Sequence, residues 1–142
     1  MKLFSILFLI IIFFNACDDK VVTKSYIKDE INLNIESIEL FCVYPNIKDK
    51  VILAIKNSDI KIKKDSNYTI KVDYTDYKKA CNNPMTSAYD RTFDGFIRLT
   101  LLKNNTRIYM CQKEFRGELS VSDFEKLLTL MRDELEFWDM FS

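Results

Sequence analysis

Residues 95–115, GFIRLTLLKNNTRIYMCQKEF, decide the fold. Two runs that alternate apolar and polar side chains, 96–103 and 106–115, flank Asn104-Asn105, the pattern of a β-hairpin closed by a two-residue turn. Both turn residues need a positive φ, which asparagine tolerates best after glycine. Such a turn sets Leu101 opposite Ile108 and Leu99 opposite Met110. Ile97, Leu99, Leu101, Ile108 and Met110 then share one face, and Arg98, Thr100, Arg107, Tyr109 and Cys111 the other.

Gly117 stops the sheet, and Ser120-Val121-Ser122-Asp123-Phe124-Glu125 starts a helix. Either serine can cap it, with Ser122 and Glu125 spaced as a capping box. Phe124, Leu127, Leu128, Met131, Leu135 and Trp138 recur at helical spacing, while Lys126, Arg132, Asp133 and Glu136 stay wet. A helix laid on an antiparallel sheet buries both apolar faces at once, and strands followed by a helix indicate an α+β domain.

Working upstream, Ile38, Leu40 and Cys42 alternate with polar neighbours, which predicts a strand over 33–44 ended by Pro45 and Asn46. VILAIK, 51–56, is apolar on both faces and β-branched, and reads as a short buried strand. Ile60 and Ile62 alternate with lysines, and Tyr68, Ile70, Val72 and Tyr74 alternate with Thr69, Lys71 and Asp73. A hairpin with a three-residue loop that sets Ile62 opposite Tyr68 aligns these apolar faces. The expectation is one domain over 31–142, an antiparallel sheet of about five strands packed by one C-terminal amphipathic helix. Residues 76–94 break the pattern, and an irregular segment of that length is a first place to seek a binding surface.

At the start, Lys2 precedes a run, 3–14, that is apolar apart from Ser5. A spanning helix needs about 20 such residues, so the shorter run reads as the hydrophobic region of an export signal. Phe14-Asn15-Ala16-Cys17 resembles the lipobox of bacterial lipoproteins, with Ala16 and Cys17 carrying the match. The resemblance covers the leader only. It implies a signal peptide over 1–16, acylation of Cys17 by palmitate-class chains, and a body held at the cell membrane facing the periplasm. Asp18 resembles the signal that keeps some lipoproteins in the inner membrane. Residues 17–30 are polar and without period, as a lipidated N-terminus and flexible tether would be, reaching up to ~40 Å at ~3.3 Å per residue.

The 21 basic and 21 acidic residues balance, with lysines scattered among acids, which argues against a nucleic-acid partner. The chain has no histidine, so the usual general base, zinc ligand and nucleophile activator near neutral pH are missing. Its two glycines, Gly95 and Gly117, make no phosphate-cradling loop. Asp73, Asp76, Asp90 and Asp94 match no EF-hand spacing and read as turn and cap residues. No metal, cofactor or enzymatic activity is therefore expected, although a carboxylate pair converging in space would revive an enzyme.

Three thiols accompany Cys17, and in an oxidising compartment two should pair. Cys81, in the long loop, is the flexible partner: Cys81–Cys111 would clip the loop to the hairpin, and Cys42–Cys81 is the alternative. Closing a loop of about 30 residues contributes roughly 3–4 kcal/mol on the chain-entropy model. Asp65-Ser66-Asn67-Tyr68-Thr69 resembles the extended acceptor sequon of bacterial N-linked glycosylation, with Asn67 on an expected exposed turn. Tyr89 in the long loop, Arg98 and Tyr109 on the outer sheet face, and Trp138 and Phe141 near the C-terminus are the candidate partner contacts. Together these features suggest a protein-binding, inhibitory or immunity-type module of the envelope. A structural accessory subunit of an envelope complex is the alternative.

Overall fold

The structure is a computed structural model and describes residues 21–26, 35–80 and 93–135. Asn104 and Asn105 sit at φ 48° and 65°, as the two-residue turn requires. They join β5 (Gly95–Lys103) to β6 (Thr106–Phe115). Lys103 pairs with Thr106 and Leu102 with Arg107, but the register then shifts, and Leu101 faces Tyr109 instead of Ile108. Ile108 is the extra residue of a β-bulge.

Because side chains alternate with a period of two, one inserted residue moves every later side chain of β6 to the other face. Tyr109, Cys111, Lys113 and Phe115 are therefore buried with Ile97, Leu99 and Leu101, and Met110, Gln112 and Glu114 are only half-buried. The outward positions expected for Tyr109 and Cys111 are corrected, as is the inward one for Met110. Lys113 enters the core on the same account, 4% exposed, and its ammonium meets Asp123 at 2.8 Å.

β4 (Tyr68–Asp76) pairs antiparallel with β5 and buries Tyr68, Ile70 and Val72. β2 (Ser37–Phe41) runs parallel to β4, and β3 (Lys61–Ile62) runs parallel to β2 on its other side. The expected hairpin between Ile62 and Tyr68 is thus not formed, since β2 lies between the two segments. The connection crosses the start of β2 instead: the Lys63 N–H donates to Ile38 O at 2.8 Å and Ser66 Oγ to Ser37 O at 2.6 Å. At the far side, β1 (Val21–Ser25), inside the stretch read as tether, adds an antiparallel edge to β6. Among the described residues the sheet has six strands in the order β1-β6-β5-β4-β2-β3. The α+β class and the C-terminal helix are as expected; the sheet is mixed because β2 takes two parallel neighbours.

The run read as a buried strand, VILAIK, is the middle of a helix, α1 (Pro45–Asn57). Pro45 opens the helix at its first turn, where a missing N–H costs nothing, so it marks a start as well as the end of β2. Ile47, Val51, Ala54 and Ile55 fall on one helical face and are buried. The C-terminus closes on Asp59 at φ 59°, with Asp59 N–H to Lys56 O at 3.1 Å and Ile60 N–H to Ile55 O at 3.3 Å, a Schellman arrangement. This helix is the crossover that parallel β2 and β3 require.

A single turn, α2 (Tyr77–Ala80), follows β4, and α3 (Val121–Leu135) follows β6. Ser120 stands just before α3, and Asp123, not Glu125, reaches back across the first turn: Asp123 Oδ2 accepts from the Ser120 N–H and from its Oγ, each at 2.8 Å. Phe124, Leu127, Leu128 and Met131 form the buried stripe. Helices α1 and α3 lie on the same face of the sheet and are tied to each other by Asn57 Nδ2 to Glu125 Oε1 at 2.7 Å.

Candidate functional site

Both long helices cover one face, and on the other Phe96, Arg98, Met110, Gln112 and Glu114 are half-exposed while Thr100 is buried. At its centre Arg98 on β5 lies over the Phe96 ring, 5.4 Å from the centroid, and donates through Nε and Nη2 to Gln112 Oε1 at 2.9 and 2.7 Å. Those two hydrogen bonds fix the guanidinium to Gln112. Opposite Arg98 in the ladder is Asp73 on β4, paired with Lys71 at 3.1 Å. Beyond Lys71 stands Phe41 of β2, 52% exposed. A pre-ordered arginine with an aromatic ring to either side supplies residue types that are enriched at protein interfaces.

Toward the β1 edge the chemistry turns basic and aromatic. Arg107 Nη1 donates to Tyr26 Oη at 3.3 Å, and the Arg107 guanidinium and Lys24 Nζ lie 5.5 and 4.9 Å from the Tyr26 ring centroid. The hydrogen bond from Arg107 holds the Tyr26 phenol below its ordinary pKa.

A cleft of about 290 Å³ opens at the end of the sheet where β4 and β6 finish, lined by Asn46, Lys50, Tyr74, Lys78, Asp94 and Phe115 among others. Its charged groups hold the fold together. Asp94 accepts the Gly117 N–H at 2.7 Å and pairs with Lys78 at 2.9 Å, and these two contacts, in that order, hold its carboxyl below the usual range. Lys50 Nζ donates to Leu119 O at 2.7 Å. Tyr74 stacks on Phe115 at 5.9 Å, and burial, with the Asp76 charge next, raises its pKa. A second depression, about 260 Å³, is lined by Asn67 among others, and Asn67 is exposed although the hairpin expected to carry it is not formed. Among the described residues no group of three or more acidic or cysteine side chains could hold a metal ion, and no helix is long and apolar enough to cross a membrane.

Of the residues singled out from sequence, Arg98 is on the open face and Tyr109 is not. Tyr109 is fully buried; its hydroxyl, flanked by Thr23 and Glu134, makes no hydrogen bond of good geometry, and burial raises its pKa. Cys42 is half-buried and Cys111 fully buried, and both are free thiols. Both expected pairings, Cys81–Cys111 and Cys42–Cys81, need Cys81, which lies outside the described residues; the bulge turns Cys111 inward, where its sulfur sits 3.6 Å from Leu127 O beneath α3. Cys17, Cys81, Tyr89, Trp138 and Phe141 lie outside the described residues. Lys113 was not foreseen as a buried ionic group, since nothing in an alternating run signals which residue a bulge will invert; Asp94, read as a turn or cap residue, accepts the Gly117 N–H.

Burial, followed by the Glu134 charge, pushes the Cys111 thiol up to about 12. Its thiolate is then roughly a thousandfold scarcer at neutral pH than that of an ordinary cysteine. Alkylation of the native protein is expected to modify Cys42 and spare Cys111, with both modified in denaturant. Peptide mass mapping checks this, and native labelling of Cys111 at the rate of Cys42 would contradict its placement.

No protein-family model matches the chain. No curated protein matches it either. Among solved structures it is similar to a PDZ domain protein from Parabacteroides distasonis, at 9% identity and a TM-score of 0.48, over 79% of this chain and 34% of that one. It therefore spans about a third of that protein's length. It is also similar to the PelC dodecamer from Paraburkholderia phytofirmans, at 8% identity and a TM-score of 0.42, over 76% of this chain and 95% of that one. Likeness at this level carries nothing about function.

Proposed function

We propose that this chain is a lipid-anchored envelope lipoprotein whose folded domain holds another protein on the open face of its sheet. The anchor rests on the leader and on Ala16-Cys17. The observation that carries the binding half is the ordered Arg98, fixed by Gln112 and lying over the Phe96 ring, on a face that neither α1 nor α3 covers. Interface energy concentrates in such pre-organised arginines and aromatics, because little rotamer freedom remains to be lost on binding.

A photo-crosslinking side chain placed at Arg98 in intact envelopes is expected to capture a discrete protein adduct. The same probe at Thr129, exposed on α3, is expected to capture none. Arg98→Glu should weaken the captured complex about tenfold or more, the scale of a central interface residue. Equal yields at the two positions would remove the open face from consideration. Independently, Cys17→Ser is expected to release the protein from the membrane fraction, and retention there would refute the lipid anchor.

A further inference from the structure

We infer that the β1 edge of the sheet lies against the phospholipid surface that holds the acyl chains. The inference rests on the lipid anchor proposed above. From Cys17 to Val21 there are only three intervening residues, Asp18, Asp19 and Lys20. Four Cα–Cα steps span at most about 15 Å. Because Val21 is already paired with Lys113 in the sheet, the folded body starts there, far short of the ~40 Å that a tether running to residue 30 would allow. The domain cannot stand clear of the headgroups.

Which side turns toward them follows from the chemistry of the edge. Val21 and Val22 are 38% and 46% exposed, and Tyr26 is 37% exposed. Lys24 and Arg107 both lie over the Tyr26 ring, and the stretch 21–26, VVTKSY, holds no acid. Apolar residues followed by a tyrosine beside cations suit the interface of an anionic bilayer, where aromatic rings sit at headgroup level and basic residues meet lipid phosphates. In the sequence Asp18 and Asp19 fall between anchor and strand, and the acid that the structure sets beside β1 is Glu134, which flanks the Tyr109 hydroxyl together with Thr23. With β1 down, β3 stands at the opposite edge, five strand spacings or about 24 Å farther from the bilayer. The open face with Arg98 then stands upright and is reached from the side.

The test uses the lipidated protein in a Cys42→Ser, Cys81→Ser background, with a fluorophore on a single added cysteine: Ser25→Cys at the β1 edge, Lys61→Cys at the β3 edge, or Asn105→Cys at the hairpin turn. Vesicles of phosphatidylcholine and phosphatidylglycerol carry a nitroxide on the headgroup. Quenching is expected to be strongest at position 25 and weakest at 61, and Lys24→Glu with Arg107→Glu should reduce quenching at 25 by half or more while the protein stays bound. Equal quenching at 25 and 61, or a contrast only between 105 and the other two, would overturn the edge-down arrangement. A doubled mass of the Cys17→Ser protein, lost on Val22→Glu, would assign the edge to a second copy and overturn it as well. Failure of the unlabelled lipidated protein to bind vesicles at all would overturn the anchor, and the edge contact with it.

Discussion

Gly95→Ala is expected to cost about 3 kcal/mol or more and to lower the melting temperature by roughly 10 °C. A Cβ on Gly95 would lie 2.0 Å from Thr75 O and 2.8 Å from Phe115 Cζ. The ring could yield, although it is 8% exposed and stacked on Tyr74. The carbonyl cannot, because Thr75 belongs to β4, which pairs with β5 along its whole length. Relief requires the two central strands to part where they also support Asp94 and the turn into α3. Gly117→Ala makes the natural comparison: Gly117 has φ 70° and nothing within 4 Å of a built Cβ, so only backbone strain of about 1 kcal/mol is at stake. Urea unfolding of the two variants side by side checks the claim. Equal losses would mean that the close approach of β4 to Gly95 is not real.

Removing the Asp123 carboxylate is expected to be almost as damaging. In Asp123→Leu the Lys113 ammonium, with a side chain only 5% exposed, loses the oxygen at 2.8 Å, and Ser120 loses its capping partner. Taking one partner from a buried pair costs about 3 kcal/mol or more, because the remaining charge stays desolvated. Lys113→Met should cost less, since Asp123 is 19% exposed and keeps Ser120. The double variant should recover at least half of the Asp123→Leu loss, and a double-mutant cycle by urea unfolding would show additivity instead if the pair were not coupled.

The same pair sets a pH dependence. Burial raises the Asp123 pKa, but the Lys113 ammonium and the two Ser120 hydrogen bonds outweigh it, leaving the carboxyl below its ordinary value. A carboxyl depressed in the folded state contributes stability above its unfolded pKa of about 3.9 and loses it as pH falls through the folded value. Asp94, held down by Gly117 and Lys78, acts with the same sign. Acid unfolding of Asp123→Asn should therefore be shallower than that of the natural protein, with part of the slope retained through Asp94.

Much of the architecture was legible because it is local. Asn104-Asn105 can hold two positive φ values, so the turn could be placed to the residue, and the stripe Phe124, Leu127, Leu128 and Met131 needs only the helical period. VILAIK reads as a strand because five consecutive apolar residues, 51–55, fit a buried strand and a helix equally, and Pro45 is a start of helix as well as a stop of strand. The candidate site was legible only in part. Arg98 precedes the bulge and kept its predicted face; Tyr109 and Cys111 follow it and lost theirs. The pairing of β2 with β4, across a helix and a two-residue strand, is a long-range choice that no alternation pattern encodes.

The amino-acid order alone determined the α+β class, the final hairpin turn and the amphipathic C-terminal helix, since each depends on contacts within a few residues or on composition. Tertiary packing decided the bulge at Ile108, the burial of Lys113 beside Asp123, the two parallel neighbours of β2 and the capture of Val21–Ser25 as an edge strand. Those outcomes depend on which surfaces are available to be covered once the helices settle on one side, and a strand's register is chosen by what lies across from it.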